Sequence, residues 1–411
     1  MFLNYLIQIS YSELLAILLL IPCMTIRYVN GVRVKSWMSL KTDKYILLLV
    51  AITSILDFRD VTLTHGLRET IVHLMNVLLP YYVFSRYIRT EEDIKRVLFA
   101  ILIPVLIMSL MAIPEVVRGW HFYTALPEAL GKGVGNITNY KFRGGYLRAL
   151  GPYGTIQFGL LATLAFASSL YLFPDKSKRD FILVSLLLLT GLLLTFSRGP
   201  WVSFVLMMFA YGFLAKKIGK FMPALLIIPV LFAPLLIFTK FGNQIVDMLP
   251  IVGSEAEQAN ITYRQELLRV SLEVSKQSPW FGDNNFRENP KMQVLVQGEG
   301  IIDMVNTYLQ YLMQYGYTGM CAFILIFISL WSGLWRARSK SRSDGNQLEV
   351  DLLNIILGMW VASLTLIATV SSIGNNSASV TYWMLVGLSG ALVTMISNAD
   401  QKSLKTQARE I

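Results

Sequence analysis

Two cysteines and three histidines in 411 residues leave this chain without the material for a disulfide framework or a histidine-built metal centre. Cys23 and Cys321 lie in or beside apolar stretches and read as packing thiols, while His65, His73 and His121 are scattered without ligand spacing. Charge is scarce as well: Asp, Glu, Lys and Arg make up 15% of the chain, where an average soluble domain carries about a quarter. That shortage excludes an ordinary soluble enzyme and a charged disordered chain alike. Gly131-Lys132-Gly133-Val134-Gly135 follows no strand, so it does not qualify as a nucleotide fingerprint. Internal repeats, low-complexity tracts and soluble domains are missing. The first apolar stretch has neither a basic leader nor a small-residue cleavage site, and it reads as the first span. No cofactor is expected.

What the chain has in quantity is apolar sequence. Hydrophobic residues fill 54% of the positions and gather into blocks of roughly helix-spanning length, about 20 residues each. The pattern predicts an all-α, polytopic transmembrane helical bundle, one membrane domain over residues 1–411 with about eleven spans. These are 5 to 22, 45 to 57, 67 to 85, 97 to 114, 153 to 173, 181 to 196, 201 to 214, 221 to 239, 304 to 334, 351 to 372 and 378 to 397, of which the second, sixth and seventh are short.

Short cytoplasmic loops retain lysine and arginine, and that rule orients the spans. One side receives 23 to 44, 86 to 96 (Arg86, Arg89, Lys95, Arg96), 174 to 180, the lysines Lys216, Lys217 and Lys220, then Arg336, Arg338, Lys340 and Arg342, and the basic tail. This predicts an outer amino terminus and a cytoplasmic carboxyl terminus. The net charge of +10 is then largely a topology signal, and no nucleic-acid partner is expected. The opposite side receives two long segments, 115 to 152 and 240 to 303, the Arg198 turn and the loop Ser371 to Ser379, with an amphipathic helix predicted near 262 to 277. The second long segment holds six basic and nine acidic residues, so its arginines are not explained by orientation.

Ser197-Arg198-Gly199-Pro200 sits between two apolar runs, and a guanidinium keeps its charge there only where an anion, water or a polar cavity receives it. The turn is either a hairpin cap whose arginine snorkels to headgroups or part of a site. Lys141, Arg143 and Arg148 lie beside Gly144, Gly145, Gly151 and Pro152, a composition that suits an anion nest or an ordinary interfacial loop. Arg264 stands three residues before Leu267 and four before Leu268, on the apolar side of its helix, whereas Arg269 points elsewhere. Asp303, Asn306 and Gln310 follow i, i+3, i+7 spacing, which predicts a polar stripe at the outer mouth of a span, and Asn375 and Asn376 add polar groups in the last outer turn. Arg143, Arg148, Arg198, Arg264 and Asp303 come from distant parts of the chain but fall on one side under this topology. Several outward cations suit a polyanionic group, and a lipid diphosphate is the natural candidate.

At these residues the chain resembles the O-antigen ligase and polymerase superfamily of bacterial integral membrane glycosyltransferases. The resemblance rests on Thr195-Phe196-Ser197-Arg198-Gly199 between spans, and on Arg264 opening a helix that ends in Ser278-Pro279-Trp280-Phe281-Gly282. It also rests on Asn306-Thr307-Tyr308-Leu309 running to Gly316 and Gly319, and more loosely on Arg148-Ala149-Leu150-Gly151-Pro152. It covers roughly residues 145 to 335. The resemblance implies a metal-independent enzyme of the inner membrane's outer face that passes a glycan from a polyprenyl diphosphate carrier to an acceptor sugar hydroxyl. Its partners would be the lipid-linked donor, a glycan or lipid-linked acceptor, membrane lipids and polysaccharide assembly proteins. Arg198 and Arg264 would hold the diphosphate, assisted by Arg148, with Arg143, Lys141, Asn306 and Tyr308 also facing substrate. Ligases of the family commonly carry a histidine just before the asparagine that here is Asn306, and this chain has Val305. Asp303 is the substitute base or acceptor-positioning group that this departure suggests. A transporter or flippase of lipid-linked glycans, and a non-catalytic assembly subunit, are the competing readings.

Overall fold

The computed structural model describes residues 18, 21–26, 28–29, 32–59, 61–121, 142–143, 145–152, 154–173, 178–219, 255–297, 300–371 and 378–410. Its elements begin with a two-residue hairpin, β1 (Tyr28–Val29) and β2 (Val32–Arg33), followed by α1 (Lys41–Asp57), α2 (Leu63–His73), α3 (Leu79–Tyr87) and α4 (Glu91–Arg118). A second hairpin, β3 (Phe142–Arg143) and β4 (Tyr146–Leu147), precedes α5 (Thr155–Leu172), α6 (Lys178–Leu194) and α7 (Arg198–Leu214). Then come α8 (Glu255–Val274), α9 (Pro290–Gln293), α10 (Thr307–Ser343), α11 (Gln347–Ile367) and α12 (Ala378–Glu410). Among the described residues, five stretches, α4, α5, α10, α11 and Ser379–Ser397 of α12, are long and apolar enough to cross a membrane. The protein is an all-α, multi-pass membrane protein.

The spans expected at 5 to 22 and 221 to 239 lie largely or wholly outside the described residues. Those expected at 45 to 57, 181 to 196 and 201 to 214 are α1, α6 and α7, each of 17 residues. At about 1.5 Å per residue each measures about 26 Å, just under the hydrocarbon thickness of about 30 Å. The span expected at 67 to 85 is α2 plus α3, joined by a π-helical turn at Leu74–Leu78. Pro80, in the first turn of α3, cannot donate to the carbonyl four residues back, and the wide turn absorbs that missing bond. α4 starts under a reciprocal cap in which the Asp93 amide donates to Thr90 Oγ1 (3.1 Å) and the Thr90 amide to Asp93 Oδ2 (3.0 Å).

The chain forms two compact units, one of Met1–Ile94, Glu266–Leu353 and Ile367–Ile411, the other of Lys95–Gln265 and Asn354–Leu366. In the first, α1 packs on α2 and α10, and α12 packs on α3 and α10. Arg86 corrects the sequence reading. Expected in a cytoplasmic loop, it lies inside α3 and pairs with Asp43 of α1 (Nη2 to Oδ2, 2.7 Å), both side chains at 0% exposure. The rings of Trp37, Tyr81 and Tyr82 surround its guanidinium at 5.0 to 5.5 Å, and the Leu40 amide donates to Asp43 Oδ2 (2.9 Å). A buried cation persists because charge, aromatic faces and hydrogen bonds together replace its water.

The second unit is built on α5, which packs against α6 and α7. Small residues allow close approach, as membrane helices require in the absence of a hydrophobic drive between them. A Cβ on Gly159 of α5 would stand 2.5 Å from Pro200 of α7, and one on Gly191 of α6 would stand 2.2 Å from Ser109 Oγ of α4.

Candidate functional site

The α6–α7 turn is held from outside by the second hairpin. The last carbonyls of a helix have no partner within it and attract donors. Here the carbonyls of Leu194, Thr195 and Phe196 accept in succession from the Ala149 amide (2.9 Å), Arg148 Nε (3.2 Å) and Arg143 Nη1 (3.1 Å). Arg148 Nη2 also donates to Ser197 Oγ. Ser197 occupies the N-cap of α7 without capping it through its side chain, because that hydroxyl is directed to Arg148. Phe196 adopts a left-handed backbone, φ +46°, a conformation that costs a bulky residue about 1–3 kcal/mol. Its ring is 2% exposed and stacks on Tyr146 of β4 at 5.9 Å, which offsets the strain.

Arg198 is therefore the first residue of α7 on a pinned and strained turn. It is half-buried, and its Nε and Nη2 are shielded from solvent. The structure brings Arg143, Arg148 and the Arg198 turn together, as the sequence reading expected. It also gives Arg143 and Arg148 a role not foreseen, the capping of α6. Lys141, Gly144, Asn375 and Asn376 lie outside the described residues.

The amphipathic helix expected near 262 to 277 is α8, extended at its start to Glu255. Leu267, Val270, Ser271 and Val274 form its buried row, and Arg264, at i−3 from Leu267, is exposed at the head of that row; Leu268, expected on the apolar side, is exposed. Arg269 does point elsewhere, pairing with Glu266 (Nη2 to Oε1, 2.5 Å).

The stripe of Asp303, Asn306 and Gln310 is corrected. α10 begins at Thr307, so Asp303, itself exposed between the buried Ile302 and Met304, precedes it in a non-helical stretch and shares no helical face with Gln310. Asn306 is the N-cap, and its Oδ1 accepts from the amides of Tyr308 (2.9 Å) and Leu309 (3.2 Å). Burial pulls the Arg287 guanidinium below its usual range, and the nearby Asp303 carboxylate acts against that. Tyr308 is half-buried, edge-on to Phe323 at 6.1 Å.

Two motifs of the resemblance meet in the first unit. α10 breaks at Gly316, φ +64° and ψ −163°, a region open essentially to glycine alone. The turn after α8 packs into this break: the Asp283 amide donates to Met313 O (2.9 Å), Tyr317 to Pro279 O (2.8 Å) and Thr318 to Trp280 O (3.1 Å). Arg59, which the sequence reading did not single out, donates from Nη1 to Gly282 O (3.0 Å), from Nη2 to Gln314 O (3.1 Å) and from Nε to Leu56 O (3.0 Å). Close by, Asp57 at the end of α1 meets His73 of α2 (Oδ2 to Nε2, 2.8 Å), with Tyr315 Oη 3.5 Å from the same nitrogen. Asp57, His73 and Tyr315 are each 4% exposed. The one sequence signal for this trio was an ionisable residue closing one apolar run and another placed within the next.

No curated protein matches this chain. Residues 183–324 match the family model described as O-antigen ligase, a stretch that contains the Arg198 turn, α7, α8, the Pro279–Gly282 turn and the Gly316 break. That match supports a likeness of this stretch to the O-antigen ligase and polymerase superfamily.

Proposed function

We propose that the protein transfers a glycan from a polyprenyl diphosphate carrier to an acceptor sugar hydroxyl at the outer face of the bacterial inner membrane, as an exopolysaccharide or O-antigen polymerase or ligase. The observation that carries the reading is the Arg198 turn. A guanidinium opens α7 where the helix dipole also favours an anion, on a turn whose carbonyls are already engaged by Arg143 and Arg148. Electrostatic stabilisation works best from groups that need not reorganise as charge develops, and a pinned turn meets that requirement.

In the proposed step the acceptor oxygen attacks the anomeric carbon while the bond from that carbon to the diphosphate oxygen breaks. The electron pair leaves with the diphosphate, where Arg198 and Arg264 receive the charge, and Asp303 takes the acceptor's proton. Attack from the side opposite the diphosphate inverts the anomeric centre. No nucleotide sugar, metal or cofactor enters.

The test is product formation by the purified full chain from a defined polyprenyl diphosphate-linked glycan. Lengthened or transferred glycan supports the reading; movement of the lipid-linked glycan across the membrane with no new glycosidic bond overturns it in favour of a transporter. Asp303→Asn addresses the proton acceptor within the same assay. The expected result is a fall of about 100-fold in turnover at neutral pH, the usual size of a general-base contribution. Near-normal turnover removes Asp303 from that role and leaves departure of the diphosphate as the driving event.

A further inference from the structure

A half-open cavity of about 630 Å³ lies at the basic end of the first unit, bordered by the first turn of α1, the last third of α10 and α12. Four cations, Lys35, Lys41, Arg336 and Lys340, line it, and no aspartate or glutamate stands among the described lining residues. Hydroxyls of Ser39, Thr394 and Ser397 are interspersed, and Leu330, Val393 and Ile396 supply apolar wall. The carboxylate nearest in sequence, Asp43, is already matched by Arg86 at 2.7 Å. Burial first, and then the charges of Arg86 and Arg89, pull the Lys35 ammonium below its usual range. Like charges have been gathered here at a cost that an anion would relieve.

Loop cations follow from the orientation rule alone, but that rule does not require four of them to converge on one half-open cavity. Two features set the depth and sign of this space. Trp331 and Trp335 of α10 are 37% and 42% exposed just ahead of Arg336 and Lys340, the position of an aromatic belt at the headgroup level. The first turn of α1, a 17-residue helix, borders the cavity with its positive dipole end.

We propose that this cavity binds the phosphate headgroup of an anionic membrane lipid, whose acyl chains lie along the apolar wall of α10 and α12. Basic pockets between helix ends are the general form of such sites. The inference depends on the membrane class of the protein and not on its glycan chemistry, so loss of either reading leaves the other standing.

The full chain would be placed in nanodiscs of phosphatidylcholine doped with phosphatidylglycerol, and retention of each lipid read by native mass spectrometry after release. The wild-type protein is expected to retain phosphatidylglycerol selectively, and Arg336→Gln with Lys340→Gln to weaken that retention by about tenfold or more. Phosphatidylcholine retention should be unaffected. The charge-keeping pair Arg336→Lys with Lys340→Arg should behave as wild type, which separates loss of charge from loss of fold. Unchanged retention in the glutamine variant overturns the proposal, as does equal loss in the charge-keeping one. Displacement of the lipid by millimolar inorganic phosphate would assign the cavity to free phosphate and overturn the lipid as occupant.

Discussion

Replacing Arg198 with alanine is expected to lower glycan transfer from a lipid-linked donor by about two orders of magnitude or more, the usual consequence of removing one preorganised donor from a developing oxyanion. The side chain leaves from the first residue of α7, and the turn before it is held by bonds that do not involve Arg198: Ala149, Arg148 and Arg143 grip the carbonyls of 194, 195 and 196. The alanine variant should therefore keep the main-chain anchors of the turn while losing the guanidinium. Arg198→Lys should recover only part of the activity, because an ammonium keeps the charge and loses the planar fork that grips two oxygens of one phosphate. Full activity in Arg198→Ala, measured at saturating and limiting donor, would remove this turn from the reaction. Arg148→Ala separates geometry from charge. It should cost both stability and turnover, since the carbonyl of Thr195 and the hydroxyl of Ser197 each lose a donor.

The largest stability effect is expected from Gly316→Ala. An added Cβ would lie 2.5 Å from the carbonyl carbon and oxygen of Trp280 and 2.6 Å from the Gly282 amide, all backbone atoms that cannot rotate away. The backbone at φ +64°, ψ −163° is itself closed to alanine at a cost of about 1–3 kcal/mol before any clash is counted. A total loss of about 4 kcal/mol or more follows, enough to prevent folding of a marginally stable protein. Gly345→Ala is the control. Its φ is also positive, +75°, but a Cβ there meets nothing within 4 Å, so the cost should stay near 1–2 kcal/mol. Thermal unfolding in one detergent compares the two. Equal midpoints would show that the contact between the Trp280–Gly282 turn and the α10 break does not form.

The helical spans were legible because apolar runs of spanning length admit few structures in a membrane. The short apolar runs at α1, α6 and α7 were legible as helices, each of 17 residues, though they are not among the five stretches long and apolar enough to cross a membrane. Partners were much less so. Arg86 sits in a run of loop-like charges, and sequence alone does not reveal that Asp43, 43 positions earlier, lies opposite it across an antiparallel helix pair. Asp303, Asn306 and Gln310 have helical spacing, but an asparagine one place before a helix is a strong stop signal for counting backwards, and its capping bonds place Asp303 outside α10. Arg143 and Arg148 were rightly grouped with the Arg198 turn, yet their bonds to backbone carbonyls depend on where α6 ends. Arg59 was invisible for a related reason: it recognises main-chain oxygens, which every residue carries and no motif records.

The π-helical turn at Leu74–Leu78 lies between two buried ion pairs that tie the same helical hairpin together, His73 with Asp57 and Arg86 with Asp43. Such a turn accommodates one residue more than a regular helix would. Loss of a single residue there would close it and swing Arg86 by about 100° relative to His73, so that one pair could form only by separating the other. The count of amino acids between these two contacts thus works as a ruler, and in this part of the fold a one-residue deletion is a heavier insult than most substitutions.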